Sequence, residues 1–232
     1  VTFRDRLLAS LRAMQPVLDV PGVLVGGSQV PNLLQANAAS TLVVSQDVDL
    51  VVPVGAHAEV KDALRSVRGY TPSPEEPSVW LPDGSDRLEV NFIGSDASLS
   101  SAAETYALED EQLPLLVFGL LSYLRPAPVL AVAGLRIPVP SPAGLLLEKL
   151  LTERSGLKGQ RDLLVALGLT LVAKAVDFDE LETSFKRLRS EERSAVLSSL
   201  RLLSLMEPLP EMPDPTTARA RISRLATRLE AA

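Results

Sequence analysis

The chain has 232 residues, of which 46% are hydrophobic and 22% charged, enough to bury a sizeable core as one larger domain or two small ones. It contains no cysteine and one histidine, which excludes disulfides, thiolate metal sites and any zinc site built on histidines. A net charge of −6 argues against a surface generally coated with nucleic acid, and no apolar run reaches the roughly 20 residues that span a bilayer. The run Leu113–Leu124 is too short and is interrupted by Pro114 and Gly119. With no basic-then-apolar leader either, the expected location is the cytoplasm.

In chain order, Phe3, Leu7, Leu8, Leu11, Met14 and Leu18 fall at helical spacing and predict an amphipathic helix over Thr2–Leu18. Pro21-Gly22 ends the connection, and Val23–Val25 begins a first strand that breaks at Gly26-Gly27-Ser28. Ser28 suits an N-cap and Pro31 a first turn, so a short helix is expected there. A second strand carries Asp47 and Asp49 and runs on through Leu50–Val54. Side chains alternate across a strand, so the two aspartates share one face and Val48 takes the other. Two carboxylates side by side in an apolar strand are expensive unless a cation sits between them, and Mg²⁺ is the hard ion that suits oxygen ligands.

His57–Val67 is predicted helical, with His57 on the surface, and Thr71–Pro77 is a proline-rich loop. Val79–Leu81 and Arg87–Ile93 flank the turn Pro82–Asp86 and predict a hairpin. In its second arm Leu88, Val90 and Phe92 face one way, and Arg87, Glu89 and Asn91 the other. Ile93–Glu111 carries a weak helical pattern around Leu99–Tyr106, and two short strands bracket Gly134. Ser141 followed by Pro142 starts a leucine-rich helix to about Arg154. Ser155–Gly159 reads as a loop, Gln160–Lys174 and Asp177–Leu205 as helices, Glu207–Pro215 as a linker-like turn and Thr216–Ala232 as a last helix. The expected fold is α/β (α+β): a small mixed sheet flanked by helices over residues 1–140, then a helical region over 141–232.

The Gly-Gly-Ser turn, a helix, a strand bearing D-x-D and a later strand carboxylate together resemble the nucleotidyltransferase superfamily that includes DNA polymerase β. Within it the chain looks like the AbiEii/MenT-like abortive-infection and toxin–antitoxin branch. The resemblance spans about residues 20 to 170. It implies NMP transfer from a nucleoside triphosphate with two Mg²⁺ ions held by Asp47, Asp49 and Glu89, Glu89 completing the ion beside the acceptor. It further implies phosphate contacts from Gly26, Gly27 and Ser28, and nucleotide-binding roles for Lys149, Lys158, Arg161 and Asp162. Lys149 also fits a lysine snorkelling at a helix end, Asp162 a charge at a helix start and Glu89 a solvent-facing glutamate. Val44-Ser45-Gln46 lacks the arginine that many members place before D-x-D, which bears on substrate choice. Candidate acceptors are an RNA 3′ end such as that of tRNA, a protein hydroxyl or a small molecule, and a cognate antitoxin is a candidate partner. Arginines after Asp177 offer either an RNA-facing stripe or a solvated face paired with acids. The alternative is a relative of the same fold that binds nucleotide or partner without catalysis.

Overall fold

The computed structural model describes residues 1–34, 47–152, 156–205 and 215–232, without the side chains of 156–161, 215, 217 and 218. Helix α1 (Phe3–Ala13) is opened by a capping box, Thr2 accepting from the Asp5 N–H and Asp5 from the Thr2 N–H. The expected continuous first helix breaks at Met14, and α2 (Gln15–Leu18) restarts with Pro16 in its first turn, where the missing N–H is harmless.

The sheet grows from β1 (Leu24–Gly26) and β2 (Asp47–Pro53), paired antiparallel, with the short helix α3 (Gln29–Leu34) following the glycine turn. Helix α4 (His57–Leu64) leads to β3 (Tyr70–Pro72), β4 (Val79–Pro82) and β5 (Glu89–Ser95). The hairpin β4–β5 forms as its turn predicts, and β3 adds an edge strand where a loop is expected. Pro72 is admissible there because an edge residue owes the sheet no hydrogen bond. Strand β5 pairs parallel with β2 on its other side, giving the order β1-β2-β5-β4-β3.

The segment expected to lean helical instead forms β6 (Thr105–Leu108), which pairs antiparallel with β7 (Leu115–Phe118). Strand β7 in turn joins β5 in parallel at Gly94–Val117. Cross-strand pairing with β7 thus overrides a weak helical pattern, with Thr105 and Tyr106 the two residues there that favour a strand. The ribbon β8 (Leu130–Val132) and β9 (Leu135–Ile137) turns at Ala133-Gly134 as expected.

Helix α5 (Pro142–Leu151) is capped by Ser141, whose hydroxyl accepts the Gly144 N–H, and is buried from Ala143 to Leu151. Helix α6 (Gly156–Val172) begins four residues before the expected start, taking in Gly156 and Gly159. Glycine costs a helix interior about 1 kcal/mol, which packing against α5 offsets. The long helix expected over 177–205 is two, α7 (Ala175–Lys186) and α8 (Ser190–Leu205). They part where the buried Glu192 reaches back to accept the N–H groups of Arg189 and Ala102 and the Tyr123 hydroxyl. Helix α9 (Pro215–Glu230) packs on α6 and α8. The linker predicted over 207–215 lies almost wholly outside the described residues, as does Val44–Gln46. No described helix is long and apolar enough to cross a membrane. The result is a mixed sheet flanked by helices with a helical C-terminal region.

Val48, Leu50 and Val52 of β2 and Val90 and Phe92 of β5 are buried in one core with Leu7, Leu11 and Met14. Two polar clasps hold this core. Ser10 accepts the buried Leu88 N–H, tying α1 to the start of β5. Lys61 of α4 meets Asp110 at 2.6 Å, and Asp110 also accepts from the Gln112 and Leu113 N–H groups. His57, expected at the surface, is half-buried and donates to the Leu113 carbonyl at 2.8 Å.

The Lys61 ammonium first, then the two N–H groups, hold the Asp110 carboxyl below the ordinary carboxylate range. A depressed folded-state pKa stabilises above the unfolded value and stops doing so as pH falls through the folded one. Asp110→Asn should therefore melt below the wild type at pH 7, the two curves converging as the buffer is taken below the ordinary carboxylate range. A gap independent of pH would count against the clasp.

Candidate functional site

The alternation of β2 puts Val48 and Leu50 into the core and turns Asp47 and Asp49 to the opposite face. Asp49 lies opposite Gly26 of β1 and beside Asn91 of β5, while Asp47 lies beside Glu89. Gly27 has φ +72°, and a Cβ there would overlap the Asp49 carboxylate. The turn after β1 therefore passes so close to Asp49 that glycine is required on both counts. Gly27→Ala should cost about 1–2 kcal/mol from the left-handed backbone alone. It should also displace Asp49 and so depress any activity, which a melt run beside an activity assay checks; a variant matching wild type in both would refute the close approach.

Gly26, Gly27, Ser28, Asp47, Asp49 and Asn91 line one cavity of about 330 Å³. Its far wall is Glu148 and Lys149 of α5 with Asp162 of α6, and apolar sides come from Val51, Ile93, Phe118, Leu121 and Leu145. The volume and mixed lining are those of a small-molecule site. Lys149 is 7% exposed, so it does not snorkel, and its ammonium lies 3.1 Å from both Glu148 and Asp162. Burial pushes the ammonium towards neutrality, but the two carboxylates outweigh it and the pKa lies above the ordinary lysine value. Lys149 is therefore a charged group at neutral pH.

Asp49 is pushed up to about 6, first by burial and then by Asp47, with Lys149 and the Asn91 amide pulling it back. Four carboxylates thus face one ammonium across this cavity. A further anion entering alone would meet repulsion, which a divalent cation between Asp47 and Asp49 would remove. The donor set fits such an ion: two carboxylates on one strand face, and beside them the Asn91 amide, whose Oδ1 is buried with no hydrogen-bond partner. Among the described residues, no group of three or more His, Cys, Asp or Glu side chains is arranged to hold a metal.

No family model and no curated protein matches the chain. Among solved structures it is similar to the antibiotic-resistance factor ANT(2'')-Ia, at 10% identity over 82% of this chain and 96% of that one, with a TM-score of 0.42. It is also similar to JHP933 from Helicobacter pylori, at 14% identity over 97% and 91%, with a TM-score of 0.35. Both scores fall below 0.5, so the residues of the site itself carry the functional reading.

Of the residues expected at the site, the cavity brings together Gly26, Gly27, Ser28, Asp47, Asp49, Lys149 and Asp162. Glu89 is not among its lining residues; burial, then Asp47 and Glu76, raise its carboxyl above the ordinary value. The side chains of Lys158 and Arg161 lie outside those described. Three residues outside the expected set also touch the site. Asn91 was visible as the neighbour of Glu89 on one strand face, and Glu148 as an acid inside an apolar helix. Gln29, fully buried and donating to the Asp47 carbonyl, carried no signal beyond its place after Ser28.

Proposed function

We propose that this chain is a divalent-metal-dependent nucleotidyltransferase, moving NMP from a nucleoside triphosphate to a hydroxyl acceptor. The observation that carries it is the shared cavity: a glycine turn, a D-x-D pair and a buried charged lysine meet there from three distant stretches of chain. In this reading residues 1–140 form the catalytic unit and 141–232 the helical unit that supplies the lysine wall. Asp47 and Asp49 would hold the cation, Mg²⁺ by its hardness. When bound, the ion neutralises the phosphates and favours displacement at the α-phosphorus. Gly26, Gly27 and Ser28 let the triphosphate approach the backbone beside Asp49. Lys149 offers it a fixed positive charge, and Glu148 and Asp162 hold that charge in place.

The acceptors that suit this chemistry are an RNA 3′ end such as that of tRNA, a protein hydroxyl or a small molecule. Three of the C-terminal arginines are already engaged within the protein: Arg228 by Asp179 and Glu182, Arg201 by Glu230, and Arg221 by the Thr170 and Leu171 carbonyls of α6. A toxin-like role with a cognate antitoxin belongs to this reading as its biological setting. The test is to incubate wild type and Asp47→Ala/Asp49→Ala with Mg²⁺, each labelled NTP and total RNA. Label on RNA or protein with wild type alone supports the reading and identifies base and acceptor. Stabilisation by NTP without transfer to any acceptor would favour a nucleotide-binding protein. No transfer and no stabilisation would end the proposal.

A further inference from the structure

Asn91 stands beside Asp49 in the β2–β5 register and shares the cavity face with both aspartates. Its Nδ2 donates to Asp47 Oδ2 at 2.6 Å and reaches Asp49 Oδ1 at 3.5 Å. The amide therefore presents its positive end where two like charges need one. Its other end, Oδ1, is buried with nothing to donate to it. An amide oxygen is an ordinary ligand for a hard cation, and this one is bonded to nothing in the protein. Glu89 is placed differently: its strand neighbour is Asp47, its other charged neighbour is Glu76, and it does not line the cavity.

We infer that Asn91, rather than Glu89, completes the oxygen set of the cation held by Asp47 and Asp49. Without the ion, the amide bridges the aspartates through Nδ2. With it, the amide would rotate about Cβ–Cγ to turn Oδ1 to the ion, the NH₂ taking the place that Oδ1 leaves. This gives a neutral third donor where the resemblance implies a carboxylate, and it rests on the metal-dependent reading above.

Mn²⁺ binding to the full chain, followed by its EPR signal, tests the assignment without any activity assay. Asn91→Leu is expected to weaken Mn²⁺ binding by about 10- to 100-fold and Glu89→Gln to change it by less than about twofold. Asn91→Asp, which keeps an oxygen and adds a charge, should bind at least as tightly as wild type but melt lower in the absence of cation. Should the leucine variant fail to fold by circular dichroism, Asn91→Ser takes its place. Wild-type binding in Asn91→Leu or its serine stand-in, or a loss in Glu89→Gln as large as theirs, overturns the assignment while Asp47→Asn still tests the metal site itself. No Mn²⁺ binding by the wild type, with or without a non-hydrolysable NTP analogue, overturns the metal-dependent reading as well.

Discussion

Asp49→Asn should abolish the proposed nucleotidyl transfer and yet raise the melting temperature of the cation-free protein. Removing one charge from the D-x-D pair takes away half of the cation's anionic hold, for which a loss of at least about 10²–10³-fold is expected by analogy with other charge-stabilising groups. The stability effect has the opposite sign because the Asp49 carboxyl titrates near 6 in the fold, against about 3.8 ordinarily. A raised carboxyl binds its proton more tightly folded than unfolded, so ionising it costs stability. That cost is absent below about pH 4, grows as pH climbs to about 6 and is then constant at about 2–3 kcal/mol, each pKa unit being about 1.4 kcal/mol. Melts of the two proteins in EDTA should therefore coincide at low pH and separate towards neutrality, the variant being the more stable. Mg²⁺ should close the gap by stabilising the wild type alone. A variant that melts below wild type at pH 7 without cation would show that the aspartate pair is not strained.

Lys149→Met should be the most damaging single change to stability in the helical region, at about 3–5 kcal/mol. The ammonium sits between Glu148 and Asp162, at 3% and 7% exposure. Methionine has a similar shape but leaves those carboxylates facing each other in a poorly solvated space. Adding Glu148→Gln and Asp162→Asn to it should return most of the loss, since well-packed neutral residues often replace a buried ion group without penalty. Urea unfolding of the three proteins separates the cases. A loss under about 1 kcal/mol for Lys149→Met would mean that solvent reaches the group freely. The triple variant should nonetheless fail to retain NTP, because the fixed positive charge is gone.

The strands of the site were legible because period-two alternation is a local property. Val48 and Leu50 inward require Asp47 and Asp49 outward, whatever the rest of the chain does. Which carboxylate or amide of the next strand stands beside the pair is not local. Glu89 and Asn91 lie on the same face of β5, and the parallel register that sets Glu89 beside Asp47 and Asn91 beside Asp49 joins residues 42 positions apart. The same limit applied to Thr105–Leu108, whose strand character comes from pairing with Leu115–Phe118. Lys149 could be read from sequence as a helix-end lysine because its burial depends on α6 bringing Asp162 against it. The break between α7 and α8 likewise depends on partners almost 90 positions back, at Ala102.

The pairing of β2 with β5 also carries a kinetic consequence. Asp47 and Asp49 face each other as soon as β2 is extended, but the Asn91 amide that relieves them arrives 42 positions later in the chain than Asp49. Non-local parallel pairing is slow because the intervening loop must close first. The pair is thus unrelieved through much of refolding, and a dication present from the start would neutralise it before β5 docks. Stopped-flow refolding should be faster in Mg²⁺ than in EDTA at matched ionic strength, an acceleration that Asp49→Asn removes; equal rates for the wild type would mean that β5 docks before the repulsion is felt. The same two residues would then act twice in the life of the molecule, as an obstacle while it folds and as the anchor of its chemistry afterwards.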